Sequence, residues 1–126
     1  MDELLARARA RLSRLTADEA RRALEDGAVL VDIRSDSQRA RDGVIPGARV
    51  VNRNEVEWRI DPTSDWKDPD LARPDARIVI VCNEGYQSSL AAAVAQELGI
   101  EHATDLDGGF QAWRAAGLPV EPDSGR

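Results

Sequence analysis

Cys82 is the only cysteine in the chain, and it closes the apolar run Ile78-Val79-Ile80-Val81. After it come Asn83-Glu84-Gly85-Tyr86-Gln87-Ser88-Ser89-Leu90. A thiol between a buried strand and a helix start is placed to act as a nucleophile. The strand fixes it, a short loop offers backbone N–H groups, and the helix N-terminus favours the thiolate. No residue from Asn83 to Gln87 is basic, so the sequence assigns stabilisation of a sulfur anion to the main chain. Gly85 allows the loop to enter a left-handed backbone conformation without steric cost. Converging N–H groups form an anion nest able to hold a thiolate, a persulfide or an oxyanion. The competing reading is a buried, inert cysteine; the strand–loop–helix placement and Gly85 weigh against it.

Asp32 ends a second apolar run, Ala28 to Ile33, and Arg34 follows two residues later. Sites on parallel sheets form beyond the carboxyl ends of the strands, so Asp32 and Cys82 are expected to face one crevice. Asp32 and Arg34 read as residues that organise this crevice rather than react. Arg53 and Arg59, in an irregular stretch able to cover the pocket, are candidates for positive charge toward a substrate. His102 and Cys82 alone do not make a metal site, which normally takes three or more protein ligands. No G-x-G-x-x-G signature occurs, and no cofactor or metal is expected. Phe110 and Trp113 lie three apart and read as the core face of a helix.

The elements that position these residues follow from periodicity. Asp2 to Arg11 reads as a short amphipathic helix, and Arg11-Leu12-Ser13 as a brief edge strand. Thr16-Ala17-Asp18-Glu19 is a capping box opening a helix to about Glu25. Short β-branched runs at 28–33 and 77–81 read as strands buried on both faces. A helix at 36–41, a strand at 49–51, a helix at 88–98 capped by Gly99, a strand at 102–104 and a helix at 110–116 complete the alternation. The pattern predicts an α/β protein: a parallel sheet with helices on both faces. The 126 residues fit one domain, ending in a polar, frayed tail from about Glu121.

Composition narrows the function classes. Hydrophobic residues are 42% and charged residues 32% of the chain, as in ordinary globular proteins. The formal net charge of −6 argues against phosphate-backbone binding, so no nucleic-acid partner is expected. No apolar stretch is long enough to cross a bilayer, so no membrane partner is expected either. The acidic start lacks the pattern of a secretory signal, and the expected location is the cytoplasm. Arg7, Arg9, Arg11 and Arg14 read as a solvated helix face.

From about Thr16 to Val120 the chain resembles the single-domain rhodaneses, or sulfurtransferases. Cys82-Asn83-Glu84-Gly85-Tyr86-Gln87-Ser88 matches their C-x-x-G-x-x-S loop, and Asp32-Ile33-Arg34 their D-x-R motif. Gly43-Val44-Ile45-Pro46-Gly47-Ala48 matches G-x-I-P-G-A, and Gly108-Gly109-Phe110-Gln111-Ala112-Trp113 matches G-G-x-x-x-W. The resemblance implies a five-stranded parallel sheet flanked by helices. It also implies covalent catalysis through a Cys82 persulfide, with the amides of Asn83 to Ser88 holding the anion. The implied partners are a small sulfur donor (thiosulfate or a persulfide) and an acceptor that is cyanide, a thiol or a protein thiol.

The related dual-specificity phosphatases use a longer loop closed by arginine. Position 88 is serine here, which removes the bidentate phosphate fork. Two departures from the family pattern stand out: Gln38 replaces a glutamate, and Val44 a histidine. Glu84 adds a carboxylate to the loop where good thiosulfate users tend to carry basic residues. Thiosulfate is therefore expected to be a poor donor, and a neutral or protein-bound persulfide a better one. The alternative function is a non-catalytic binding or redox-sensing module, in which Cys82 oxidises or stays inert.

Overall fold

The structure is a computed structural model that describes residues 1–124. Its centre is a parallel sheet in the order β2-β1-β3-β4. The strands are β1 (Val29–Asp32), β2 (Arg49–Val50), β3 (Ile78–Val81) and β4 (Thr104–Asp105). Register is continuous across the middle, with Val29 opposite Ile78 and Asp32 opposite Val81. This register brings the carboxyl ends of β1 and β3 level, so Asp32 and Cys82 emerge at the same edge of the sheet.

Both faces of the sheet are covered, which is why its strands are apolar without alternation. On one face Val31, Ile78 and Ile80 pack with Val56, Ile60, Ala91, Ala92, Ala95 and Ile100. These come mainly from α4 (Val56–Ile60) and α5 (Gln87–Glu97). The small side chains of α5 let its backbone approach the sheet closely, and α1 (Asp2–Ala10) packs on α5 from outside. On the other face Leu30, Val79 and Val81 meet Ala20, Phe110 and Trp113. These belong to α2 (Ala17–Glu25) and α6 (Gly109–Ala115); α3 (Asp36–Asp42) links β1 toward β2. The Thr16–Glu19 capping box forms as the sequence predicts, with both reciprocal bonds made.

Three expectations need correction. Among the described residues the sheet has four strands, not five. Arg11-Leu12-Ser13 forms no strand: Arg11 caps α1, and the edge contact falls to Leu15, a single parallel bridge to Leu106. Thr16 starts a helix at once, so no residues remain to lengthen that ladder. The tail does not fray at Glu121, which exchanges two backbone hydrogen bonds with Val44 at 2.8 and 2.9 Å. The Trp113 indole N–H also holds the Pro119 carbonyl at 2.8 Å. Residues 125 and 126 of the expected tail lie outside the described residues. Among the described residues no helix is long and apolar enough to cross a membrane.

Candidate active site

Cys82 lies one residue beyond β3 and lines a cavity of about 790 Å³. Two main-chain donors converge on it. The Gly85 N–H reaches Sγ at 3.2 Å and the Ser88 N–H at 3.4 Å. The Ser88 group belongs to the first turn of α5, where N–H groups lack intrahelical partners and carry the positive end of the helix dipole. Cys82 is 7% exposed and opens into the cavity, so an anion here is held by amides yet reachable by small molecules.

The loop's carbonyls are also engaged. The Cys82 carbonyl accepts from the Phe110 N–H at 2.8 Å, and the Asn83 carbonyl from the Gln111 N–H at 3.1 Å. Those donors are free first-turn groups of α6. Gly109 makes this approach possible: a Cβ there would lie 2.5 Å from the Cys82 carbonyl oxygen. With carbonyls drawn outward, the loop's amides turn inward toward sulfur. Gly85 adopts φ +89°, the left-handed region the loop demands.

Asp32 and Arg34 form a fully buried pair. The Arg34 guanidinium donates to Asp32 Oδ2 at 2.8 Å and to the Gly43 carbonyl at 2.8 Å. It stacks 3.8 Å above the Phe110 ring. Arg34 lines the cavity and joins β1, α3 and α6 around it. Gln38 completes a capping box with Ser35 at the start of α3.

Arg53 lines the cavity and is paired there with Glu57 at 3.0 Å. Arg59 is not brought to the site. It lines a neighbouring cavity, donates to the Trp66 carbonyl at 2.8 Å, and is absent from the lining around Cys82. Arg53 precedes α4 whereas Arg59 lies in its last turn, and the two side chains line different cavities. Asn83, Glu84, Tyr86 and Gln87 line the cavity on the loop side, with Glu84 and Tyr86 exposed. His102 stands in the turn before β4 and lines a third cavity.

The arginine cluster is not uniformly a solvated face. Arg9 and Arg14 turn inward behind the loop, and both donate to the Gly85 carbonyl, at 2.8 and 3.0 Å. Arg14 also pairs with the fully buried Asp105 at 2.9 Å. The Ser88 and Ser89 hydroxyls donate to Asp105 Oδ2, each at 2.8 Å. Arg9 and Arg14, expected on a solvated helix face, stand instead against the loop, and Asp105 and Ser89 join them without a sequence signal. The strand that carries Asp105 is only Thr104–Asp105, with no apolar run before it to mark the carboxylate. Partial burial pulls the Arg14 pKa down. Its hydrogen bond to Asp105 and the charges of Asp105, Asp107 and Cys82 outweigh this and raise it.

The model of the family described as Rhodanese-like domain matches residues 16–116. The thiosulfate sulfurtransferase GlpE of Pseudomonas aeruginosa (strain LESB58) is 37% identical over 112 residues, covering 89% of this chain and 92% of that protein. A Rhodopseudomonas palustris protein, described as of unknown function and a possible tyrosine phosphatase, superposes with a TM-score of 0.86. It is 37% identical, with 94% of this chain and 91% of the other covered. The human single-domain sulfurtransferase TSTD1 superposes with a TM-score of 0.67 at 25% identity, covering 81% and 95%.

Proposed function

This chain belongs to the rhodanese-like domain family, and from that membership we propose that it is a sulfurtransferase carrying sulfane sulfur on Cys82. The Cys82 thiolate attacks the outer sulfur of thiosulfate or of a persulfide. The donor's S–S bond breaks, sulfite or a thiol leaves with the bonding pair, and Cys82 becomes a persulfide anion. A nucleophilic acceptor then attacks the terminal sulfur. Cyanide becomes thiocyanate or a thiol becomes a persulfide, and the Cys82 thiolate is regenerated. One difficult transfer is thereby split into two easier ones.

The observation that carries this reading is the convergence of the Gly85 and Ser88 N–H groups on Sγ beside an open cavity. Oriented amides in a partly dry site stabilise developing negative charge without having to reorganise. A phosphoryl group would find no guanidinium in the loop, because position 88 is serine and Arg53 is engaged by Glu57. Arg34 lines the cavity, and Asp32 and the Gly43 carbonyl hold its guanidinium there.

Thiosulfate gives the Pseudomonas relatives their name. In this chain the exposed Glu84 stands at the cavity and opposes a dianion, which favours a neutral or protein-bound persulfide as donor. The test is intact mass spectrometry after incubation with thiosulfate or a small persulfide. The wild type should gain one sulfur, lose it to cyanide or a thiol, and gain none as Cys82→Ser. A wild-type mass unchanged by both donors would refute the proposal.

A further inference from the structure

The clamp behind the Cys82 loop is built by residues that precede the family-matched region, which begins at residue 16. Arg9 comes from α1, and Arg14 from the link to α2. We propose that Arg9 and Arg14 are positioning residues of the sulfur-carrying loop, clamping the Gly85 carbonyl and setting positive charge behind Cys82. The proposal rests on Cys82 being the sulfur carrier and adds how that carrier is held.

Three observations support it. First, the two guanidinium groups share one acceptor, the carbonyl of the residue whose own N–H points at Sγ. Fixing that carbonyl fixes the Gly85–Tyr86 peptide plane, which adjoins the plane whose N–H meets Sγ. Second, the clamp is itself anchored. Arg9 Nε donates to Ser89 Oγ at 3.1 Å, and Arg14 forks onto both Asp105 oxygens at 2.9 and 3.2 Å. A bidentate arginine–carboxylate pair of this kind fixes geometry as well as charge. Third, it fits tightly: a Cβ on Gly85 would lie 3.2 Å from the Arg14 terminal nitrogen.

The charges around Cys82 give the proposal a sign. Arg9 and Arg14 lie behind the loop, with Asp105 and Asp107 as partners of Arg14. On the cavity side the charged groups are Glu84, Asp36, Arg34 and Arg53, with the Tyr86 phenol also facing it. Arg34 is neutralised by Asp32, Arg53 by Glu57, and Asp36 by Arg39. Behind the loop Arg9 and Arg14 face the buried Asp105 and an Asp107 whose side chain is 62% exposed and screened by water, so positive charge prevails beside the buried sulfur. Positive charge there favours the thiolate, and negative charge opposes it.

The experiment is the rate of Cys82 alkylation by iodoacetamide as a function of pH, with thermal melting as the check on folding. Arg14→Gln should slow alkylation at pH 7 by about fivefold and move the rate profile to higher pH. Arg14→Lys, which keeps the charge, should recover most of that loss. Arg9→Gln should act in the same direction with smaller effect. Asp105→Asn should move the profile the opposite way, to lower pH. A role in shape alone would displace the Arg14→Gln and Asp105→Asn profiles together, and that result overturns the proposal. So does an Arg14→Gln profile coincident with the wild type. Should Arg14→Gln not fold, Arg9→Gln decides, and a coincident profile there overturns it equally. Alkylation needs no sulfur donor, so this outcome is independent of whether sulfur transfer itself is observed.

Discussion

The Cys82 loop has two unlike sides. Its rear is a closed polar lattice: Arg9, Arg14, Asp105, Ser88 and Ser89 bind one another and the Gly85 carbonyl, with Asp105 wholly out of water. Its front is open. Glu84, Tyr86 and Gln87 project toward solvent, and the cavity's arginines are already paired. The rear can hold a sulfur anion in one geometry because each member of the lattice is satisfied by another; a half-satisfied buried network would loosen it. The front carries no fixed recognition of one anion. On the proposed function, reactivity belongs to the buried side and choice of donor to the exposed side.

The largest effect is expected from disturbing the rear. A Cβ at Gly85 would lie 2.8 Å from the Gly108 nitrogen, at a φ of +89°. Gly85→Ala should lose about 1–3 kcal/mol of stability and most of its sulfur uptake. Urea unfolding and intact mass measure both; a fully stable, fully active variant would show that the loop's backbone is not constrained from behind.

A smaller change is expected at the front. Glu84 is exposed, so water and salt screen its repulsion of a dianion. Glu84→Gln should lower the KM for thiosulfate by about two- to fivefold and leave that for a neutral persulfide unchanged. Equal effects on both donors would remove Glu84 from donor selection.

The smallest effect lies on the flank joining the two sides. Gln111 Nε2 donates to Asn83 Oδ1 at 2.9 Å and to Asp42 Oδ2 at 3.1 Å. The Arg41 hydrogen bond lowers the Asp42 carboxyl to about 2; partial desolvation opposes it, while Gln111 and the charges of Arg41 and Arg114 add to it. Because the folded value lies below the unfolded one, the resulting stabilisation is present above about pH 4 and lost as pH falls toward 2. Asp42→Asn should therefore show a smaller drop in urea midpoint than the wild type between pH 5 and pH 2.5. An identical drop would mean that Asp42 does not couple folding to pH.

What the sequence made legible follows the range of the interactions. The strands β1 and β3 read directly, because a two-sided burial leaves a continuous apolar run. The Thr16–Glu19 box and the Gly99 stop are local signals, complete within a few residues. The Ser35–Gln38 box is equally local, yet the family pattern marks Gln38 only as a departure. The fifth strand failed because a single bridge at Leu15 has no periodicity to detect. Arg9 and Arg14 read as solvated for a different reason. Their partner in the loop, Gly85, lies 76 and 71 residues away, and a row of arginines on a short helix looks solvated until the fold brings α1 against α5. The Val44–Glu121 pairing was hidden in the same way, since a polar tail carries no sign of the backbone it will meet.

Single-turnover transfer from the sulfur-loaded chain bears most directly on Cys82 as the carrier. Protein loaded with sulfur and freed of donor is mixed with cyanide, and thiocyanate is counted against chains. The expected result is one thiocyanate per loaded chain, formed at least as fast as steady-state turnover. Sulfur that remains on the protein, or leaves only when donor is present, would contradict a persulfide held on Cys82 as the working intermediate.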